Sequence, residues 1–271
     1  MRNSVVIITG ASSGIGRATA LAFAGEGARL ALAARDVSRL EETEREVRQT
    51  GCEVFVRAVD VSDRVQTQAL VDETIHRFGR VDIVVCNAGQ YVRGPISTLT
   101  REEFERAMSV NFYGALHLIY AALPHMIARG SGHIVAVSSV DGKKGLPLDA
   151  AYVSSKFALT GFMDVLRQEL YDTGVYASTI LPGRVDTPMI DNLAVPLISA
   201  KISSARVARA IIRAVRRRKA EVIVPGGGPR ILVLLNAIFP AAADWLVRVF
   251  RLEGRQITTI DQEKTTEHAK R

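Results

Sequence analysis

An α/β fold, a doubly wound parallel sheet with helices on both faces, is what this sequence predicts, and three observations predict it. Short apolar runs alternate regularly with helix-length amphipathic stretches, the pattern of strand–helix–strand units stacked on both sides of a sheet. The first apolar run ends in a glycine-rich turn, Thr9-Gly-Ala-Ser-Ser-Gly-Ile-Gly16. The 271 residues, 48% apolar and 23% charged, suit one large core.

The elements follow in order. Val5–Ile8 reads as the first strand, and the glycines after it allow a sharp turn into a helix over Gly16–Glu26. Arg29–Ala34, Glu53–Val59 and Ile83–Cys86 read as the next strands, separated by helices over Val37–Thr50 and Arg64–Phe78. A helix over Arg101–Ala128 opens with the capping-box pattern Thr100-Arg-Glu-Glu103. His133–Ser138, Tyr176–Leu181 and Glu221–Val224 complete seven strands, with helices over Ala150–Asp172 and Ser203–Arg218 between them. Gly51, Gly79, Gly130 and Gly174 follow helical stretches, where a left-handed residue closes the last turn. Character changes at Pro225-Gly-Gly-Gly-Pro229, which divides a domain of residues 1–228 from an extension of residues 229–271. The extension reads as two amphipathic helices broken at Pro240, then a mobile charged tail from about Gln256.

Composition excludes several classes. Cys52 and Cys86 lack metal-ligand spacing, and Cys86 lies within an apolar run, so a buried thiol in a reducing compartment is expected and no metal site. Too few residues precede Thr9 for an export signal, so a cytoplasmic protein is expected. Ile231–Phe250 is interrupted by Asn236, Pro240, Asp244 and Arg248 and does not read as a membrane span. The formal charge of +7 concentrates only at Arg213–Lys219 and in the tail. That run has no interleaved aromatics and reads as a solvated helix end, so no nucleic-acid partner is expected.

Two constellations carry chemistry. The glycine turn lets a pyrophosphate approach the amides of a helix N-terminus, although such clusters also serve as plain tight turns. Tyr152 and Lys156 stand one helical turn apart, where an ammonium can favour the phenolate of a tyrosine whose ordinary pKa is near 10. Ser139 follows a strand end, placed to hydrogen-bond a substrate oxygen; Ser138 is the competing candidate, better suited to capping the strand.

With these motifs in the same order, the chain resembles the short-chain dehydrogenase/reductases over about residues 4 to 228. The matching residues are Thr9 to Gly16, Asn87-Ala-Gly89, Asn111, Ser138-Ser139, Tyr152 and Lys156, Pro182-Gly183 and Thr187. The resemblance implies a Rossmann fold, with Asn111, Ser139, Tyr152 and Lys156 as the catalytic set. It implies a cofactor-binding set of Gly10, Ser12, Ser13, Gly14, Ile15, Gly16, Arg35, Asp60, Val61, Asn87, Ala88, Gly89, Tyr152, Lys156, Pro182, Gly183, Val185 and Thr187. The strand ending Ala34-Arg35 lacks the carboxylate that would accept from the ribose of NAD and offers a guanidinium for a 2′-phosphate, which favours NADP(H). Asp36 is the alternative partner for Arg35, and Ser13 stands where some NADP-preferring relatives carry a second basic residue.

The expected activity is interconversion of a carbonyl and an alcohol by hydride transfer. The alternative is a catalytically silent nucleotide sensor of the same fold, against which the Ser139/Tyr152/Lys156 set argues. The apolar stretch Pro188–Ser199, with Tyr91, Leu146 and Pro147, points to a lipophilic ketone, aldehyde or alcohol of steroid, retinoid or fatty-acyl type. Residues 229 onward resemble extensions that cover the cleft, meet a partner subunit or lie on a membrane, where Arg248, Arg251 and Arg255 would meet acidic head groups. The resemblance also implies a homodimer or homotetramer.

Overall fold

Valine, isoleucine, leucine and alanine fill seven parallel strands of one sheet in the computed structural model, which describes residues 1–256. The strands are β1 (Val5–Thr9), β2 (Arg29–Ala34), β3 (Val54–Ala58), β4 (Ile83–Cys86), β5 (Gly132–Val137), β6 (Val175–Pro182) and β7 (Glu221–Val224). Their order across the sheet is β7-β6-β5-β4-β1-β2-β3. Because successive side chains point to opposite faces, β1 feeds two cores at once. Val5 and Ile7 join Leu70, Leu118 and Leu159, from α3 (Arg64–Phe78), α5 (Gly114–Arg129) and α6 (Ala150–Glu169). Val6 and Ile8 join Phe23, Leu40 and Ile211, from α1 (Gly14–Gly25), α2 (Val37–Arg48) and α7 (Ser204–Arg217). Every residue of β1 is buried, and each such aliphatic side chain is worth roughly 1.5–3 kcal/mol against exposure.

The chain runs outward from β1 to β2 and β3, then returns to β4 on the other flank of β1. That reversal opens a crevice beyond the carboxyl ends of β1 and β4, the place where doubly wound sheets hold ligands. The capping box forms as expected, with Thr100 Oγ1 accepting from Glu103 N at 3.2 Å and Glu103 Oε2 accepting from Thr100 N at 3.0 Å.

The single helix expected over Arg101–Ala128 is instead α4 (Arg101–Met108), a π-helical turn over Ser109–Tyr113, then α5. The wider turn carries Asn111, whose side chain is held from both sides. Its Nδ2 donates to Gln90 O and to Ser155 Oγ, each at 2.9 Å, and its Oδ1 accepts from Gln90 N at 2.7 Å. Gly114 follows because a Cβ there would stand 2.6 Å from Val61 Cγ2. Single π turns of this kind recur at functional sites, and sequence periodicity is blind to one inserted residue.

Beyond β7 the chain forms α8 (Gly228–Ile238) and α9 (Pro240–Val249), and Arg255–Gln256 then pairs antiparallel with Leu193–Ala194. Lys144, whose side chain is buried, pairs with Asp244 of α9, and Asn236 Nδ2 of α8 donates to Lys143 O at 3.2 Å. The extension is thus fastened to the loop that follows β5. No helix among the described residues is long and apolar enough to cross a membrane. The tail expected to be mobile lies, from residue 257 on, outside the described residues.

Candidate active site

The carboxyl ends of β1 and β4 are stapled together. Thr9 Oγ1 accepts from Asn87 N at 3.1 Å and Ala88 N at 3.2 Å, while Asn87 Nδ2 donates to Thr9 O at 3.0 Å and Gly10 O at 3.2 Å. Gly10 and Gly14 take positive φ of 65° and 51°, and a Cβ on Gly16 would meet Gly10 O at 2.1 Å. Ser13 occupies the N-cap of α1 without making a side-chain cap bond, so no side chain competes for the first-turn amides. A cleft of about 290 Å³ lies over this turn. Gly10, Ser12, Ser13, Gly14, Ile15, Arg35, Asp60, Val61, Asn87, Ala88, Gly89, Tyr152, Lys156 and Thr187 line it. A glycine cradle at a helix N-terminus with a guanidinium at its rim fits a dinucleotide phosphate chain.

Arg35 is exposed at that rim. Asp36, the alternative partner, caps α2 instead: it accepts from Arg39 N at 3.1 Å and faces the Arg39 guanidinium at 3.5 Å. Arg35 has no ion-pair partner among the described residues, though it acts at longer range on Asp60. A hydrogen bond from Ser62, above all, holds the Asp60 carboxyl below its ordinary range.

Tyr152 and Lys156 share one face of α6. Lys156 is 4% exposed; its Nζ donates to Val137 O at 3.0 Å and stands 5.7 Å from the Tyr152 ring centre. A Cβ on Gly89 would crowd Asn111 Oδ1 at 3.3 Å and meet Nζ at an ordinary 3.7 Å. Burial lowers the Lys156 pKa to about 8. Burial first, and the neighbouring Asp141 second, push the Tyr152 pKa up, and among the protein groups Ser139 opposes them by hydrogen bonding. With a pKa of about 8 Lys156 remains mostly an ammonium at neutral pH, a charge held beside the Tyr152 ring.

The two serines after β5 differ. Ser138 Oγ donates to Lys156 O at 3.1 Å and lies 2.9 Å from Thr160 Oγ1, which ties it to the backbone of α6. Ser139 Oγ accepts from Asp141 N at 3.0 Å and lies 3.5 Å from Pro182 O. Asn111 and Gly16 line neither cavity and support those that do, while Pro182, Gly183 and Val185 lie on the second cavity rather than the cleft.

That second cavity, about 280 Å³, adjoins the cleft at Tyr152. The apolar segment after Thr187 contributes Met189, Ile190, Leu193 and Ile198. Tyr91 and Leu146 are also on its wall, whereas Pro147 is not. The extension supplies Leu232, Leu246, Phe250 and Leu252, so it covers the chain's own cavity.

Sequence reading missed the polar groups here. Asp149 precedes α6 in the N-cap position yet caps nothing. It is 1% exposed and accepts from Tyr91 Oη at 2.7 Å and Arg93 Nη1 at 2.9 Å. Tyr91 stands edge-on to Tyr152 with ring centres 5.1 Å apart. Arg93 Nη2 donates to Gly254 O at 3.0 Å, and Arg184 donates to Leu252 O, so two guanidiniums hold the end of the extension over the cavity. Asp141 and Arg184 line the cavity as well. The only signal available was a charged residue two positions after Ser139, in a stretch with no local reason to bury charge.

A family model described as short chain dehydrogenase matches residues 4–195. The chain is 41% identical over 195 residues to an uncharacterized oxidoreductase of Listeria monocytogenes, covering 71% of this chain and 79% of that protein. It is 34% identical over 258 residues to the mouse (Mus musculus) dehydrogenase/reductase SDR family member 7B, covering 89% and 79%. Among solved structures, a short chain dehydrogenase/reductase from Burkholderia phymatum in complex with NAD superposes with a TM-score of 0.82 at 28% identity, covering 89% of this chain and 95% of that one. An alcohol dehydrogenase from Thermococcus sibiricus complexed with 5-hydroxy-NADP gives 0.75 at 32% identity, covering 82% and 96%.

Proposed function

The chain belongs to the short-chain dehydrogenase family and is an oxidoreductase with a nicotinamide-dinucleotide fold; from that premise we propose an NADP(H)-dependent enzyme that interconverts a lipophilic ketone or aldehyde with its alcohol. The observation that carries this reading is the place of Tyr152, whose side chain lines both the glycine cleft and the apolar cavity. Bound in the cleft, the cofactor supplies or accepts the hydride and, when oxidised, brings a positive charge near the phenol. Tyr152 passes a proton to or from the substrate oxygen, and Ser139 donates a hydrogen bond to that oxygen as charge builds on it. Lys156 lies beneath the phenol, and Asn111 fixes the chain at Gln90 and Ser155 against α6.

Arg35 supports NADP(H) over NAD(H), since it stands on the cleft rim without an ion pair among the described residues. Similar proteins have been solved with either cofactor type, so the preference rests on this side chain. Leucines and phenylalanine on the cavity wall support a lipophilic substrate. Exposed Ile231, Leu234, Ile238, Phe239 and Trp245 on and between α8 and α9, beside Arg230 and Arg248, support peripheral contact with an acidic membrane. Exposed Tyr120 on α5 and Phe157 and Val165 on α6 support a homodimer or homotetramer.

The test is a panel of apolar ketones and aldehydes, with sugars as controls, in which oxidation of NADPH and NADH is followed by absorbance. Turnover of apolar carbonyls with NADPH is expected. Tight NADPH binding without turnover of any carbonyl would overturn the enzyme in favour of the sensor.

A further inference from the structure

Asp141 has no part in the proton and hydride steps, yet it occupies the reacting end of the substrate cavity. It lies two residues after Ser139, in the 3₁₀ turn Val140–Gly142, and its backbone N–H donates to Ser139 Oγ at 3.0 Å. It lines the substrate cavity and not the cofactor cleft. Unlike Asp149, it has no ion-pair partner within 4.0 Å among the described residues; Arg184 and Arg93 act on it only at longer range. Burial and the Asp149 charge raise its pKa to about 7, against the pull of Arg184. A carboxyl kept on a largely apolar wall with no ion-pair partner, and with only the Ser139 hydroxyl to donate to it, is under-satisfied, and a ligand that donates to it relieves that cost.

We propose that Asp141 is a specificity-determining residue that accepts a hydrogen bond from a hydroxyl on the carbon next to the substrate's reacting carbonyl, so that the preferred substrates are α-hydroxy ketones or aldehydes. The proposal rests on the oxidoreductase reading and deepens it. A carbonyl oxygen shared by Ser139 and Tyr152 brings the substituent on its neighbouring carbon toward the next polar group of the same turn. Ser139 has a single hydroxyl proton, and both the Asp141 carboxyl and the Tyr152 oxygen draw on it. A substrate hydroxyl that satisfies Asp141 leaves this proton for the carbonyl oxygen. The guanidiniums of Arg184 and Arg93 nearby favour a neutral donor over an ammonium.

The experiment compares reduction of α-hydroxyacetophenone with that of α-methoxyacetophenone, which has a similar inductive effect and no donor. The wild type is expected to favour the hydroxy ketone about tenfold in kcat/KM, the worth of one buried hydrogen bond. Asp141→Ala is expected to abolish that preference, and Asp141→Asn to keep most of it, because the amide oxygen still accepts. Equal use of both ketones by the wild type, or a preference unchanged in Asp141→Ala, overturns the proposal. If neither ketone is reduced, the enzyme reading is what fails for these compounds, and calorimetric binding of both to the NADP⁺-loaded protein then decides. A preference for the hydroxy ketone that Asp141→Ala removes sustains the proposal, and equal binding ends it.

Discussion

Two cavities of nearly equal volume, about 290 and 280 Å³, meet at Tyr152, and they are built by different means. The cofactor cleft is made of backbone and glycine at the ends of β1, β2 and β4, where a Cβ at Gly10 or Gly16 would strike the chain itself. The substrate cavity is made of side chains gathered from the loop after β5, the segment after Thr187, and α8 and α9. A wall of backbone is fixed by local conformation, whereas a wall of side chains depends on how distant segments assemble. The difference extends to charge. On the cleft, Asp60 is stabilised as a carboxylate by Ser62; on the cavity, Asp141 is destabilised as one by burial.

The largest expected effect comes from Tyr152, which lines both regions. Tyr152→Phe removes the phenol oxygen and little else, so kcat is expected to fall by about 10²–10⁴, the worth of a positioned acid–base group. NADPH affinity, measured by fluorescence titration, should change less than about twofold, because the loss falls on the transition state rather than on ground-state binding. A comparable loss of cofactor affinity would mean that the two cavities are one unit.

The same contrast explains what the sequence made legible. Thr9 to Gly16, Asn87 to Gly89, Tyr152 and Lys156 are contiguous motifs, and local spacing is enough to read them. A parallel sheet covered on both faces followed from strand–helix alternation, whereas the order of its strands is set by long-range pairing. Asn111 was legible as a residue, but its π turn was not, because its cause is a set of bonds to Gln90 and Ser155. Asp149 carried no local signal, because its partners Tyr91 and Arg93 lie 58 and 56 positions away along the chain. Arg93 and Arg184 held no local clue either, since each bonds a carbonyl of the segment that closes the cavity more than sixty residues later.

A smaller effect tests the cleft alone. Arg35→Ala removes a guanidinium from its rim, so NADPH affinity is expected to fall about 10- to 100-fold, the range for hydrogen bonds to charged groups. NADH affinity and the substrate KM should stay within about twofold. Equal losses for both cofactors would reassign Arg35 to general electrostatic attraction.

The smallest effect tests the opposed signs of the two carboxyls through stability. Asp141 titrates at about 7 in the fold against an ordinary 3.8. Between pH 4 and 7 the folded chain therefore holds a proton that the unfolded chain has lost, and raising the pH through that window weakens the fold. Asp141→Asn cannot ionise, so its Tm should exceed that of the wild type at pH 8 by roughly 3–6 °C and match it near pH 4. Asp60 is shifted the other way, so its contribution is present above its ordinary pKa and is lost as the pH falls through the lower folded value. Asp60→Asn should accordingly lower Tm at pH 8, by less, because that carboxyl is shifted mainly by one hydrogen bond from Ser62 rather than by burial. Thermal scans of both variants at pH 4 and 8 check the pair. If Asp141→Asn is no more stable than the wild type at pH 8, then Arg184, Ser139 and Arg93 compensate the carboxylate fully, and the cavity wall would have no under-satisfied acceptor to offer a substrate.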